Sequence, residues 1–263
     1  MKQFSMFATV AAASGGSVPS RRSMTRGSGV LSFAVLLAST AVGFLLGASL
    51  ENSSGSSDAG RLRAGRFEYR MLKAGSEIGK FTVTVEKLGN GNFRFTGEAS
   101  GFNQKWESIA TPLFQPISAT LRMQRKDGKM YSMNLKYEGG RVTGSQGKES
   151  ATAESIDNQV PPGTVDQRID WASALARRLE IGNKFAFTVY DPATGVSRVT
   201  GEVAQAERVE VPAGTFDTIR VVYQIAKSKG TERYEVLASK SEPRLMIRED
   251  FPDGTTSELI GIN

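Results

Sequence analysis

The feature that most constrains this chain is a period-two alternation of apolar and polar residues. Phe81, Val83 and Val85 alternate with Thr82, Thr84 and Glu86, and Phe93 and Phe95 with Arg94 and Thr96. Leu121 and Met123 obey the same rule, as do Tyr131, Met133, Leu135 and Tyr137. Phe185, Phe187 and Val189 open a later set that continues at Ile219, Val221, Tyr223 and Ile225. Successive side chains of a strand point to opposite faces, so each run has one greasy and one wet face. That pattern belongs to an antiparallel sheet with one solvated side. Turn-forming groups fall between the runs: Gly89-Asn90-Gly91, Asp127-Gly128, Gly139-Gly140, Pro192 to Gly195 and Asp253-Gly254.

From Arg66 onward the pattern predicts about eleven or twelve strands. The polar stretch Ser145 to Asn158 reads as a surface loop. A sheet that long must curl or close on itself. The expected fold is therefore mainly β, a large curved antiparallel sheet of half-barrel or barrel-like form with one packed helix. An outer-membrane barrel would also alternate, but 2 Trp and 6 Tyr are few for the aromatic girdles it needs. The helix is predicted over Val165 to Leu179, with Thr164 as its cap and Gly182 as its stop. Ile169, Ala172, Leu175, Ala176 and Leu179 recur at helical spacing, and Trp171 sits near the edge of that stripe.

The N-terminal part is of another kind. Residues 1–29 form a polar, basic region, and Val30 to Leu50 is an uncharged apolar run preceded by Arg21, Arg22 and Arg26. A basic flank is held on the cytoplasmic side, so the chain beyond the apolar run is expected to be exported. The run suits a signal peptide cut near Gly47-Ala48-Ser49, or an anchor just long enough to span a bilayer. Ser20-Arg21-Arg22-Ser23-Met24 resembles a twin-arginine export signal. Residues 51–65 open with a Ser- and Gly-rich stretch and read as a flexible linker, which leaves 66–263 as the folded β domain.

Charge and composition exclude several functions. Residues 1–50 hold Lys2, Arg21, Arg22 and Arg26 and no acid. Taking these from the 33 basic residues leaves 29, against 27 acidic ones. The folded part is thus of mixed sign, without the basic stripe that nucleic-acid binding requires. Cys and His are both absent. That removes disulfides, thiolate nucleophiles, Ser–His–Asp catalysis and His-ligated zinc together. No cofactor and no metal is expected, and the domain is not expected to be an enzyme. Asp166 and Asp170 stand at i and i+4 of the predicted helix, where a solvated face explains them better than a catalytic pair. Glu249 and Asp250 are neighbours on a strand and point opposite ways.

The C-terminal third carries Val209-Glu210-Val211-Pro212-Ala213-Gly214-Thr215-Phe216-Asp217-Thr218, then Ser241-Glu242-Pro243-Arg244-Leu245 and Asp253-Gly254-Thr255. Together with Phe67-Glu68-Tyr69 and Ile78-Gly79-Lys80, these resemble the DUF3108 family of exported bacterial proteins of unknown function, over residues 66–263. The resemblance implies a periplasm-facing β domain with a curved sheet similar to lipoprotein-carrier folds, and it brings no catalytic residues with it. Pro212, Gly214 and Phe216 read as a structural turn: Pro212 fixes φ, Gly214 permits positive φ, and Phe216 drops into the core.

The candidate ligand surface is the aromatic face of Phe81, Phe93, Phe95, Phe185 and Phe187, with Trp171 beside it. Plain core packing is the bland alternative. The two functions expected are binding of a lipid or other apolar ligand, or docking of an envelope protein partner through a sheet edge. The N-terminal run would add a membrane contact if it is retained.

Overall fold

The computed structural model describes residues 56–263 apart from 100, 102, 126, 150 and 229. The expected leader or anchor lies outside the described residues. Among those that are described, no helix is long and apolar enough to cross a membrane.

The described chain is one sheet of fifteen strands. The first eight are β1 Gly65–Lys73, β2 Ser76–Lys87, β3 Phe93–Ala99, β4 Gln104–Ala110, β5 Pro116–Gln124, β6 Met130–Glu138, β7 Arg141–Lys148 and β8 Glu154–Gln159. The rest are β9 Thr164–Asp166, β10 Lys184–Asp191, β11 Gly195–Val211, β12 Gly214–Lys227, β13 Gly230–Ser239, β14 Met246–Asp250 and β15 Thr255–Ile262. Hairpins run outward from a central β1–β15 pair, in the order β8 to β1 and then β15 down to β9. All neighbours are antiparallel except β9 and β10, which are parallel.

The strand count exceeds the expected eleven or twelve. Ser145 to Asn158, expected to be a loop, supplies much of the β7–β8 pair, with Gly144 opposite Ile156 and Ser145 opposite Ser155. Apart from Ile156 this stretch offers almost nothing apolar, so alternation could not reveal it; its strands are held by ladder hydrogen bonds at the sheet's edge.

The helix also differs from expectation. Only Asp170–Leu175 is α-helical, called α1 here, and a 3-10 turn at Gln167–Ile169 precedes it. Thr164 caps nothing. It lies in β9, where its hydroxyl donates to Pro161 O at 2.7 Å and meets the Thr188 hydroxyl at 2.9 Å. Sheet pairing of Thr164, Val165 and Asp166 with β10 overrides their helical spacing.

Packed rings line the concave side of the curl. Tyr69 stacks on Phe81 at 4.9 Å between ring centroids, and Tyr223 on Tyr234 at 5.0 Å. Two strand glycines make room for large rings. A Cβ on Gly97 would stand 2.0 Å from Trp106 Nε1, and one on Gly201 would stand 2.4 Å from Phe185 Cζ. The gap bordered by Phe81 and Trp106 is about 10 Å³, no more than one water needs. α1 plugs the curl, packed against β9, β12 and the turn Ala59–Arg61. From Ser57 the chain already packs against the domain, within the stretch expected to be linker: Ala59 N donates to Pro112 O at 2.8 Å, and the Ser57 and Ser173 hydroxyls lie 3.2 Å apart. The Pro212-Ala213-Gly214 group closes the long β11–β12 hairpin, with Gly214 at φ +131° and Phe216 half-buried against the core.

Candidate functional site

Two polar clusters lie inside the curl, and a third feature opens to solvent. The first cluster is centred on Arg168, which is 1% exposed. Its Nε donates to Asp166 at 2.9 Å, a second N–H reaches the same carboxylate, and Asp191 stands 3.6 Å away. Tyr137 also donates to Asp166, at 3.4 Å. Burial opposes the charge on Arg168, but Asp166, Tyr137 and Asp191 more than offset it, and the guanidinium is held above its usual range. The cluster ties β6, β9 and β10 together as a structural clamp.

The second cluster holds acids without a cation of that kind. Asp170 opens α1 and accepts from Trp171 N at 2.6 Å. Burial pushes its carboxyl up to about 7. Glu249, on β14, accepts from the Tyr223 hydroxyl at 3.4 Å, and its other oxygen has no hydrogen-bond partner among the described residues. Burial and then the nearness of Asp170 raise Glu249 well above the ordinary carboxylate range. Asp166 and Asp170 are therefore no solvated face: both are buried, the one in a strand and the other at the helix start. Glu249 and Asp250 do point opposite ways, with Glu249 inward and Asp250 bonded to Arg248 at the partly open surface. Among the described residues no group of three acids could hold a metal ion.

The third feature is an open cleft of about 420 Å³, a size typical of small-ligand sites. β9 pairs with β10 only at Thr188, Val189 and Tyr190, so β10 from Lys184 to Phe187 has no β9 neighbour, and the cleft opens there. Phe187 and Val165 give it an apolar wall, and Leu113, 59% exposed, overhangs it. Leu113 is turned outward by the β4–β5 turn, whose next residue, Phe114, is buried at φ +60°. That left-handed conformation is costly for an aromatic residue and places one ring in the core and one side chain over the cleft.

Arg177 and Arg198 supply the charge. The Arg177 guanidinium lies over the rings of Phe185 and Phe187, at 5.2 and 4.9 Å from their centroids, and burial lowers its pKa to about 10. Its backbone is fixed from behind: Arg244 Nη1 donates to Leu175 O at 2.9 Å and to Arg177 O at 2.7 Å, capping the end of α1. Arg244 belongs to the Pro243-Arg244-Leu245 group, which thereby shapes the cleft.

Of the aromatic residues expected to form a ligand face, Phe187 alone lines this cleft. Phe81, Phe93, Phe95, Phe185 and Trp171 are buried, none more than 7% exposed. Phe185 lies beneath Arg177, Phe81 against Tyr69, and Phe95 under Phe114 at 5.7 Å. Sequence reasoning missed Arg177, Arg198 and Leu113.

A curled antiparallel sheet plugged by a short helix defines a β-barrel-like class. The crystal structure of a β-barrel-like protein of the DUF1849 domain from Brucella abortus shares this fold, with a TM-score of 0.51 and 13% identity over 77% of this chain and 98% of that one. The chain belongs to the DUF3108 family of proteins of unknown function, whose pattern matches residues 63–259. A candidate lipoprotein from Parabacteroides distasonis (TM-score 0.33, 14% identity, 79% of this chain and 99% of that one) is more distant. So is a candidate exported protein with a YmcC-like fold from Bacteroides fragilis (TM-score 0.32, 12% identity, 80% and 99%). At those scores neither carries an argument. No curated protein sequence matches the chain.

Proposed function

We propose that this is an exported, periplasm-facing β domain that binds a lipid or other apolar ligand without catalysis, and that the ligand sits in the open cleft rather than inside the curl. The cleft is the observation that carries this reading: about 420 Å³ beside Phe187, Val165 and the exposed Leu113, next to a concave face lined with packed rings. The apolar run at 30–50 supports an envelope location, since it reads as an export leader or anchor.

Docking of an envelope protein partner is the second reading. β8 is the free edge it would use, with β7 its one hydrogen-bonded neighbour among the described residues. That edge is short and carries Glu154 and Asp157, features that discourage strand addition. The cleft reading is therefore preferred.

Lipids extracted from the protein isolated from its own envelope, and identified by mass spectrometry, test the proposal. One amphiphile close to one-to-one, diminished in Leu113→Ser, is the expected result. No bound lipid in the wild type, with a repeatable crosslinked protein at β8 instead, would overturn it.

A further inference from the structure

We infer that the ligand is an anionic amphiphile, a membrane lipid whose phosphate or carboxylate is held by Arg177 and Arg198 while its acyl chain lies on Phe187 and Leu113. The inference rests on the cleft being the ligand site and adds the chemical class of the ligand.

Charge is the first ground. Among the described residues, the cleft wall contains two guanidinium groups and no Asp or Glu. Arg198 forms no ion pair among the described residues, and its cross-strand partners are Thr188 on β10 and Ala226 on β12, both uncharged. Ser57, Ser173 and Thr188 add polar residues to the same wall.

Preorganisation is the second. Arg177 is 8% exposed and lies over two rings, with its backbone fixed by Arg244. A guanidinium in that setting is already partly stripped of water, so an anion reaching it gains more than at an open surface. Polar and apolar contacts share one opening, as an amphiphile requires and a free anion does not.

Position is the third. Ser56 lines the cleft, and it stands six residues after Leu50, where the apolar run ends. Six residues reach at most about 20 Å. A retained anchor would tether the domain to a bilayer, so a bilayer lipid is the source the test uses.

The test is calorimetric titration of the protein isolated from its envelope, with whatever leader it retains. The titrants are short-chain phosphatidylglycerol, short-chain phosphatidylcholine and inorganic phosphate. Phosphatidylglycerol is expected to bind about ten-fold or more tighter than phosphatidylcholine, and inorganic phosphate far more weakly than either. Arg198→Gln should weaken phosphatidylglycerol binding several-fold more than phosphatidylcholine binding and so shrink that preference, whereas Leu113→Ser should weaken both lipids alike. Equal binding of the two lipids, unchanged by Arg198→Gln but lost in Leu113→Ser, would overturn the headgroup inference and leave the cleft as a lipid site. Inorganic phosphate binding as tightly as phosphatidylglycerol would overturn the acyl-chain part. Failure of every titrant to bind would overturn the cleft reading itself, and the inference with it.

Discussion

Phe93 and Phe95 on β3, and Phe185 and Phe187 on β10, are one sequence pattern met twice. Each pair sits two residues apart on one strand face with stacked rings, 6.3 Å between centroids in the first and 6.1 Å in the second. Their surroundings differ. Phe95 is sealed by Phe114 and has no exposure. Phe187 is covered by a guanidinium instead, and its free side faces a cleft. Alternation shows that a face is apolar, but the element that covers it comes from far along the chain. One pair is core throughout; of the other, Phe185 is core and Phe187 is cleft floor.

The sharpest way to break that comparison is to truncate the sealed ring. Phe95→Ala should cost about 3–5 kcal/mol of stability, read from denaturant unfolding, because a fully packed ring leaves a cavity behind. Its lipid binding, measured on the fraction that folds, should match wild type.

The sealed interior should also announce itself through pH. Asp170 is raised to about 7 and Glu249 is raised in the same direction, so the folded state holds protons that the unfolded state has lost. Stability should therefore be greatest in mildly acid solution and fall, by a few kcal/mol at most, as pH rises from about 4.5 through 7. Asp170→Asn should flatten that fall, as seen in melting temperatures across the range. The surface carboxylates Asp127, Asp157 and Glu207 are held low by Lys148, Arg141 and Arg220 respectively, so their contribution is lost only in more acid solution.

Truncating the exposed side of the pair should do the reverse of Phe95→Ala. Phe187→Ala should cost only about 1–2 kcal/mol, since the ring is partly open already, yet it should remove most lipid binding. Smallest of all, Arg198→Gln should change stability by no more than about 0.5 kcal/mol, a surface substitution with no ion pair among the described residues to lose. A large destabilisation by either variant would show that the cleft wall is core after all.

Much of this molecule was legible in its sequence. The hairpins, the turns at Gly89-Asn90-Gly91 and Pro212-Ala213-Gly214, and the buried rows of β2, β6 and β12 come directly from alternation. Three things were not legible, each for a physical reason. β7 and β8 hold too few apolar side chains to show a period. Thr164 to Asp166 read as the cap and first turn of a helix, but β10 captures them as a strand, and Arg168 then turns inward to hold Asp166. The cleft is built from Leu113, Arg177, Phe187 and Arg198, which lie far apart in sequence and meet only through the curl of the sheet.

The central claim is that a lipid sits in the cleft and not inside the curl. Photo-crosslinking with a phosphatidylglycerol carrying a diazirine on its acyl chain, with peptide mapping of the adducts, tests that claim most directly. Adducts on Leu113 and on Ala186 to Thr188 are predicted. Adducts concentrated on Phe81, Phe95 or Trp106 would place the ligand inside the sheet and contradict the account.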